Sequence, residues 1–569
     1  MEHGLYVGWT ANLTHRSIRL SSLIACILAI CSGDGRGQSE PPGAATGLPP
    51  AQQLVRFYGT LGSYGEAYSI SGQQSRRPGQ TGRLYFRPTL SIWQIDLPFE
   101  FVLSTEGRSA QQPFNQFGVN PTIAWATIHA GHHHISFSEF TVNSLLQFGG
   151  GFDLRPGVFR FSVTAGRTQQ SINADSAQGI YYGTFRRHLY GLKLGIGRED
   201  GSLIDLNVVR AKDDVSSVKL SGSARPQENM VAGLAGTLRM LENKLTFTSE
   251  FAVSVHTPNI LNEELDANLP SFVSKIFTPR IGTKIGYAGK GSIQFMHGPL
   301  VFSGRYTRVN PGFTSFGLSS FQNDREEIDL SPVVRFLENR MTVGATLGFR
   351  RDNIAGNKLA TTRRVLQSYF VNTTPVDQFS FDVRYSNFTM KSNSVSDTTR
   401  YDNISHSLNL SPTVRVKWVE LQHVITTTIG GQKFNDRNRV YGGLNTYTTY
   451  SGSIMWAVAF PSSLVISPRA SYTRNDRTTT DTKITTLGLA VQYSLFDRAL
   501  TPSLSLSTTR NNIGIATDKQ LVGTLNTTYR VTAYDNVALS ARVSSYAYGN
   551  GRASNFVESM ITLQYNRSF

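Results

Sequence analysis

Four histidines fall within six residues, His129, His132, His133 and His134, and Glu139 follows them closely. Neutral imidazoles at this density invite zinc or nickel chemistry. In an extended strand, however, successive side chains point to opposite faces, so His132 and His133 cannot chelate one ion from one side. The cluster therefore reads as a polar turn between strand segments Thr122–His129 and Ile135–Phe140, and no metal ligand is assigned. Hydrolytic chemistry has less support still. The chain has no Gly-x-Ser-x-Gly elbow and no His-Glu-x-x-His pair. Because triads are often scattered along a sequence, that absence counts only weakly. Gly149-Gly150-Gly151 lacks the Lys-Ser/Thr that a phosphate-cradling loop requires. No catalytic residue, no cofactor and no enzymatic activity are expected.

The remaining chemical resource is positive charge. Lys and Arg number 55 against 39 Asp and Glu, a formal net charge of +16. These cations are dispersed rather than gathered into a basic patch, which argues against a nucleic-acid partner. Whether they do anything else depends on the elements that carry them.

Those elements alternate with period two. At the C-terminus Val557, Ile561, Leu563, Tyr565 and Phe569 occupy one register, and Met560, Thr562, Gln564, Asn566 and Ser568 the other. The same apolar-against-polar beat recurs in Leu487–Leu495, Leu521–Val531, Val537–Ser544 and Met341–Arg350, each a half-buried strand by its pattern. Short turns punctuate the beat at Leu241–Lys244, Met296–Pro299, Leu337–Arg340, Thr374–Asp377, Lys417–Glu420, Phe460–Ser463, Leu495–Arg498 and Ala533–Asn536. Longer polar stretches such as Ser392–Thr399 and Arg474–Thr482 lie between them. One hairpin per interval is implied.

The N-terminal region reads differently. Arg16 and Arg19 precede the apolar run Leu20–Cys31, which is too short to cross a bilayer, and small residues follow to Gly37. This is the order of a cleaved signal peptide over residues 1–37. Leu23-Ile24-Ala25-Cys26 fits a lipobox, the alternative processing signal. Cleavage at Gly33–Gly37 removes Cys26 and Cys31, and with them disulfides, thiolate metal sites and cysteine catalysis. Residues 38–53, rich in Pro, Gly and Ala, read as a flexible linker, and residues 54–569 as one folded unit.

About 26 strands, within a range of 22–26, fit the mature chain at about 20 residues per strand and connection. A soluble sandwich rarely needs more than about ten strands. Polar residues on the inner face of so many strands point instead to a transmembrane, antiparallel, up-and-down β-barrel. In hydrocarbon an open sheet edge is not tolerated, so the wall must close.

The last strand resembles the assembly signal of Gram-negative outer-membrane β-barrel proteins, with Ile561, Leu563, Tyr565 and a terminal Phe569 in the expected register; Arg567 departs from that pattern. The resemblance implies a large porin-like barrel in the cell outer membrane, inserted by the barrel assembly machinery and surrounded by lipid and lipopolysaccharide. A TonB-dependent receptor is disfavoured, since only the short linker precedes the first strand.

In such a barrel Arg160, Arg335, Arg350, Arg384, Arg415, Arg530 and Arg542 fall on the lumen register. Guanidinium groups lining a pore concentrate anions and repel cations. The competing reading pairs them with lumen carboxylates such as Asp329 and Asp382, or sets basic groups against lipopolysaccharide phosphates. The segment Ser109–Phe152 alternates less regularly, and reads either as an ordinary outer loop with short strands or as a constriction folded inward. The function expected is passive transport of small polar or anionic solutes. The alternative is a non-conducting structural or accessory barrel that anchors a surface or secretion assembly.

Overall fold

The computed structural model describes residues 55–92, 95–105, 115–174, 183–218, 224–265, 277–551 and 553–569. The expected signal segment, the linker and both cysteines lie outside these residues.

The chain forms a closed antiparallel barrel of 26 strands with almost no helix. The wall begins with β1 (Val55–Ser71), β2 (Gln80–Ile92) and β3 (Ile95–Ser104), then a broken strand, β4 (Gln116–Val119) and β5 (Thr122–Ile123), then β6 (Ala126–Ile135), β7 (Leu145–Leu154) and β8 (Phe159–Gln169). It continues through β9 (Arg186–Gly197), β10 (Leu203–Asp214), β11 (Glu228–Met240), β12 (Leu245–Thr257), β13 (Lys284–His297), β14 (Leu300–Val309), β15 (Arg325–Phe336) and β16 (Met341–Asp352). The next five are β17 (Thr362–Val376), β18 (Phe379–Ser392), β19 (Asp402–Trp418), β20 (Leu421–Asp436) and β21 (Tyr447–Ala459). The last six are β22 (Leu464–Arg477), β23 (Thr482–Tyr493), β24 (Leu500–Ile513), β25 (Ala516–Arg530), β26 (Asp535–Ala547) and β27 (Phe556–Ser568). Both β4 and β5 pair with β3 on one side and β6 on the other, so together they fill one place in the wall.

Each strand pairs with its sequence neighbours, and β1 closes the ring on β27 from Thr60–Ser568 to Ser71–Val557. Short turns lie at the end that holds Val55 and Phe569, and the longer connections lie at the other. The recurring short turn has an unusual backbone. Leu241-Glu242-Asn243 and Leu337-Glu338-Asn339 place three consecutive residues at positive φ, between 51° and 71°. Asparagine, which tolerates the left-handed region, closes both.

The alternation assigns two faces. Phe159, Ile196, Phe251 and Leu521 stand on the register that points away from the lumen, each more than half exposed. Such side chains recur around the whole circumference, far beyond the few hundred Å² of contiguous apolar surface that a water-soluble monomer tolerates. Trp418, Tyr493, Tyr529 and Tyr565 share that register near the short-turn end, as an interfacial aromatic girdle requires.

At the closing seam the Phe569 ring lies 5.3 Å from Phe57 and 5.9 Å from Phe86. Phe569 and Gly59 exchange backbone hydrogen bonds of 2.8 and 3.1 Å. Arg567, the residue out of pattern, sits at the last turn 3.9 Å from Asp535, where the strand leaves the apolar band. Substituting Phe569→Ala removes the ring contacts that fasten the seam. The expected loss is about 1–3 kcal/mol, read as a lower urea midpoint for refolding into lipid vesicles. An unchanged midpoint would show that backbone pairing alone secures closure.

Candidate functional site

Twenty-six strands, spaced about 4.8 Å apart and tilted about 40°, would close as a circle with a radius of about 25 Å. Side chains from opposite walls cannot meet across that width. The lumen is therefore shaped by whatever loops enter it, and among the described residues two do.

The first is residues 136–144, between β6 and β7, and the second is residues 310–324, between β14 and β15. Both pack on the inward register of β9–β14, the face opposite Phe251 and Ile196. Ordinarily polar in a barrel, this register here carries apolar residues beneath the loops, set among buried polar ones such as Lys193, Asn207 and Thr307. Phe140 and Phe313 are fully buried against Val231, Ala252, Ala288 and Val309, with Phe321 packed on top. Val142 is buried in a second cluster with Ile135, Leu189, Val209 and Ala211. The rings of Phe140, Phe313 and Phe321 lie 5.4–6.2 Å from one another.

The polar backbone of the loops is satisfied by the wall. Glu250 of β12 accepts the Glu139 N–H at 3.1 Å and the Phe140 N–H at 2.7 Å. Asn229 of β11 accepts the Phe316 N–H at 3.0 Å and donates to the Thr314 carbonyl at 2.8 Å. The Ser254 hydroxyl accepts the Thr314 N–H at 3.1 Å. The loops also hold each other: the Asn143 N–H donates to the Gly317 carbonyl at 3.1 Å, and the Ser315 hydroxyl donates to the Thr141 carbonyl at 2.5 Å. Two glycines make this approach feasible. A Cβ at Gly286 would fall on the backbone of Phe313, and one at Gly317 on the backbone of Thr141 and Val142. Charges border the assembly. Lys290 pairs with Glu139, Arg350 with Glu327 at 3.0 Å, and Arg187 covers the Phe316 ring at 3.6 Å while bonding Asp213 at 2.7 Å.

The rest of the inner wall is different. Along β16–β27 the lumen register carries hydroxyl and amide ladders, including Ser386–Ser407, Ser411–Thr428, Thr413–Thr426, Thr486–Thr509 and Asn526–Ser540. The seven arginines singled out from the sequence divide into two sets. Arg160 is nearly buried and salt-bridged to Asp205 at 2.9 Å, and Arg350 is paired as above. Among the described residues, Arg335, Arg384, Arg415, Arg530 and Arg542 have no carboxylate partner. Arg384 lies over Phe370, Arg415 bonds the Ser380 hydroxyl and Arg542 the Ser544 hydroxyl. Asp329 pairs with Arg305, and Asp382 forms no ion pair among the described residues. Sequence reasoning missed Arg305, Arg364, Arg469 and Arg477, which stand on the same inward register by their cross-strand partners. Extending the polar register strand by strand would have found them.

Two expectations are corrected. The histidines do not form a turn: they lie within β6, and the turn-forming residues are 136–144. His129 and His133 face the lumen and stack at 4.9 Å, and His129 bonds Asp153 at 3.0 Å. His132 faces the other way and contacts the Phe117 backbone. Among the described residues no group of three or more His, Cys, Asp or Glu could hold a metal. Within Ser109–Phe152, residues 109–114 lie outside the described set, and Gln116–Val119 is wall. Among the described residues of this segment only 136–144 turns inward, in company with residues 310–324 between β14 and β15.

No family model matches the chain, and no curated protein does. Solved structures resemble it as outer-membrane barrels. The translocation pore of the P pilus usher PapC shares 13% identity over 91% of this chain and 100% of its own, at a TM-score of 0.35. OccAB3 of Acinetobacter baumannii shares 10% over 65% and 98%, at 0.32. The FrpB iron transporter of Neisseria meningitidis shares 10% over 78% and 87%, at 0.37. The likeness is of barrel wall to barrel wall, and no function transfers with it.

Replacing Glu250 with Ala leaves the Glu139 and Phe140 N–H groups buried without an acceptor, at a cost of about 1–3 kcal/mol. Amide hydrogen exchange in residues 136–144 should then speed up by about 10- to 100-fold, while β24–β26 stays unchanged. Equal rates in both forms would show that the apolar contacts alone hold the loop.

Proposed function

We propose that this barrel is a porin-like passive channel of the outer membrane for small polar solutes, with a modest preference for anions. The supporting observation is the division of the lumen. One arc of wall, β9–β14, is covered by two packed loops, whereas β17–β27 presents hydroxyls, amides and arginines such as Arg384, Arg530 and Arg542 that lack carboxylate partners among the described residues. Hydroxyl and amide groups exchange readily with the hydration shell of a passing solute, which lets it leave as easily as it enters.

Magnitudes limit the selectivity. At 0.15 M salt the Debye length is about 8 Å, and a circular lumen of this strand number has a radius of about 25 Å. An arginine on the wall is thus screened over about three Debye lengths at the axis. Each guanidinium acts on solutes that pass close to it, not on the whole cross-section. Anion preference is accordingly expected to be weak and strongly dependent on salt.

The alternative reading, an accessory barrel that conducts little, rests on the same two loops, which narrow the lumen. Conductance separates the two. The refolded chain in a planar bilayer under a KCl gradient should open steadily and reverse on the anion-selective side. Substituting Arg384→Glu, Arg530→Glu and Arg542→Glu together should move the reversal potential toward cations at 0.1 M salt and have little effect at 1 M. An inserted barrel that stays silent would exclude the channel reading in favour of the accessory one.

A further inference from the structure

The outward face of β22–β25 carries a feature that the channel does not use. Near the long-loop end, Arg474, Lys483, Arg510 and Lys519 all stand on the lipid-facing register. Arg474 lies directly opposite Lys483 across β22 and β23, and Arg510 directly opposite Lys519 across β24 and β25. Like charges in register destabilise a sheet unless something neutralises them. The protein does so only in part. Arg474 bonds Asp476 at 2.5 Å and approaches Asp481 at 4.0 Å. Lys483, Arg510 and Lys519 are exposed and form no ion pair among the described residues.

Below these cations the wall is indented. A shallow, open groove is lined by Ile454, Trp456, Leu487, Leu489, Leu506 and Leu521. Its floor is low because Ala470 and Thr508 supply little side chain there. Height fits as well. Arg474 lies ten residues along β22 from Leu464, which at about 3.3 Å per residue and a tilt of about 40° is about 25 Å of membrane normal, the height of an apolar barrel band. The cations therefore sit where hydrocarbon gives way to headgroups, and the groove lies in the hydrocarbon beneath them.

A second run of outward cations lacks this pairing of features. Arg351, Arg363 and Lys391 are in register across β16–β18, but Glu326 meets Arg351 at 2.6 Å and Asp402 meets Lys391 at 3.9 Å.

We propose that the outer face of β22–β25 is a binding site for a phosphorylated, acylated lipid of the outer leaflet. Its phosphate is held by Lys483, Arg510 and Lys519, and one acyl chain lies in the groove over Ala470. Point cations recognise phosphate without directional demands, and Arg510 adds the forked donor geometry that suits its oxygens.

The test uses the full chain purified in mild detergent, with native mass spectrometry as the readout and bisphosphorylated lipid A as the probe. One lipid should remain bound per chain. The triple variant Lys483→Ala, Arg510→Ala, Lys519→Ala should weaken binding at least tenfold. Ala470→Phe, which fills the groove and leaves every charge in place, should weaken it comparably. Fully dephosphorylated lipid A should bind at least tenfold more weakly, and millimolar inorganic phosphate should not displace the probe. Should the triple variant fail to refold, Ala470→Phe and the dephosphorylated lipid still decide the matter. Equal binding by parent and Ala470→Phe, equal binding of the two lipids, or displacement by inorganic phosphate would each overturn the site.

Discussion

Everything in this molecule follows from one requirement: in hydrocarbon, each backbone N–H and C=O must find a partner within the protein. A sheet meets it only by having no edge, and the pairing of β1 with β27 removes the edge. Closure by antiparallel neighbours then fixes the rest. An even number of strands returns the chain to the side where it started, so Val55 and Phe569 lie at one end and the longer loops at the other. Each strand must present one register to lipid and the other to the lumen. The amphipathic alternation is thus a consequence of the solvent on each side of the wall.

Width is the second consequence, and it explains where the alternation fails. A ring of this size encloses more space than side chains can fill. The two inward loops bring apolar residues of their own, Phe140, Val142 and Phe313, and these need an apolar surface to pack on. The inner register of β9–β14 accordingly carries Leu189, Val209, Val231, Ala252 and Val309 where polar residues would otherwise stand. Glu250 and Asn229 remain polar because their task is to bond the loop backbone, which could not be buried without acceptors and donors. Fold and site are here the same problem.

The legible and illegible parts of the sequence separate along this line. Period two, the recurrent Leu-Glu-Asn turns and the terminal aromatic are local signals, and they suffice for a closed barrel of about this strand number. Assigning the histidines to a turn failed because polarity was taken as a mark of a loop. In a barrel, polar residues such as His129 and His133 are ordinary wall on the lumen side. The inward loops are hard to see for another reason. Residues 136–144 and 310–324 show no composition that separates them from outer loops, and their partner surface is spread over six strands. What marks them is a run of apolar residues on the wrong register of consecutive strands, together with Gly286 and Gly317 at the points of contact. That signal exists only once the strands are set side by side.

The same geometry governs what positive charge can do. On the lumen side, arginines are separated from the axis by several screening lengths, so even an uncompensated set such as Arg384, Arg530 and Arg542 acts only on solutes close to the wall. On the outer side, these cations stand at the upper edge of the apolar band, where the dielectric is lower than in the water-filled lumen. There Lys483 beside Arg474, and Lys519 beside Arg510, repel each other at close range, and an anion held between them would relieve that repulsion. On the proposal made above, the closer electrostatic constraint lies at the lipid-facing rim, where in-register like charges meet, rather than in the wide lumen that the large net charge first suggests.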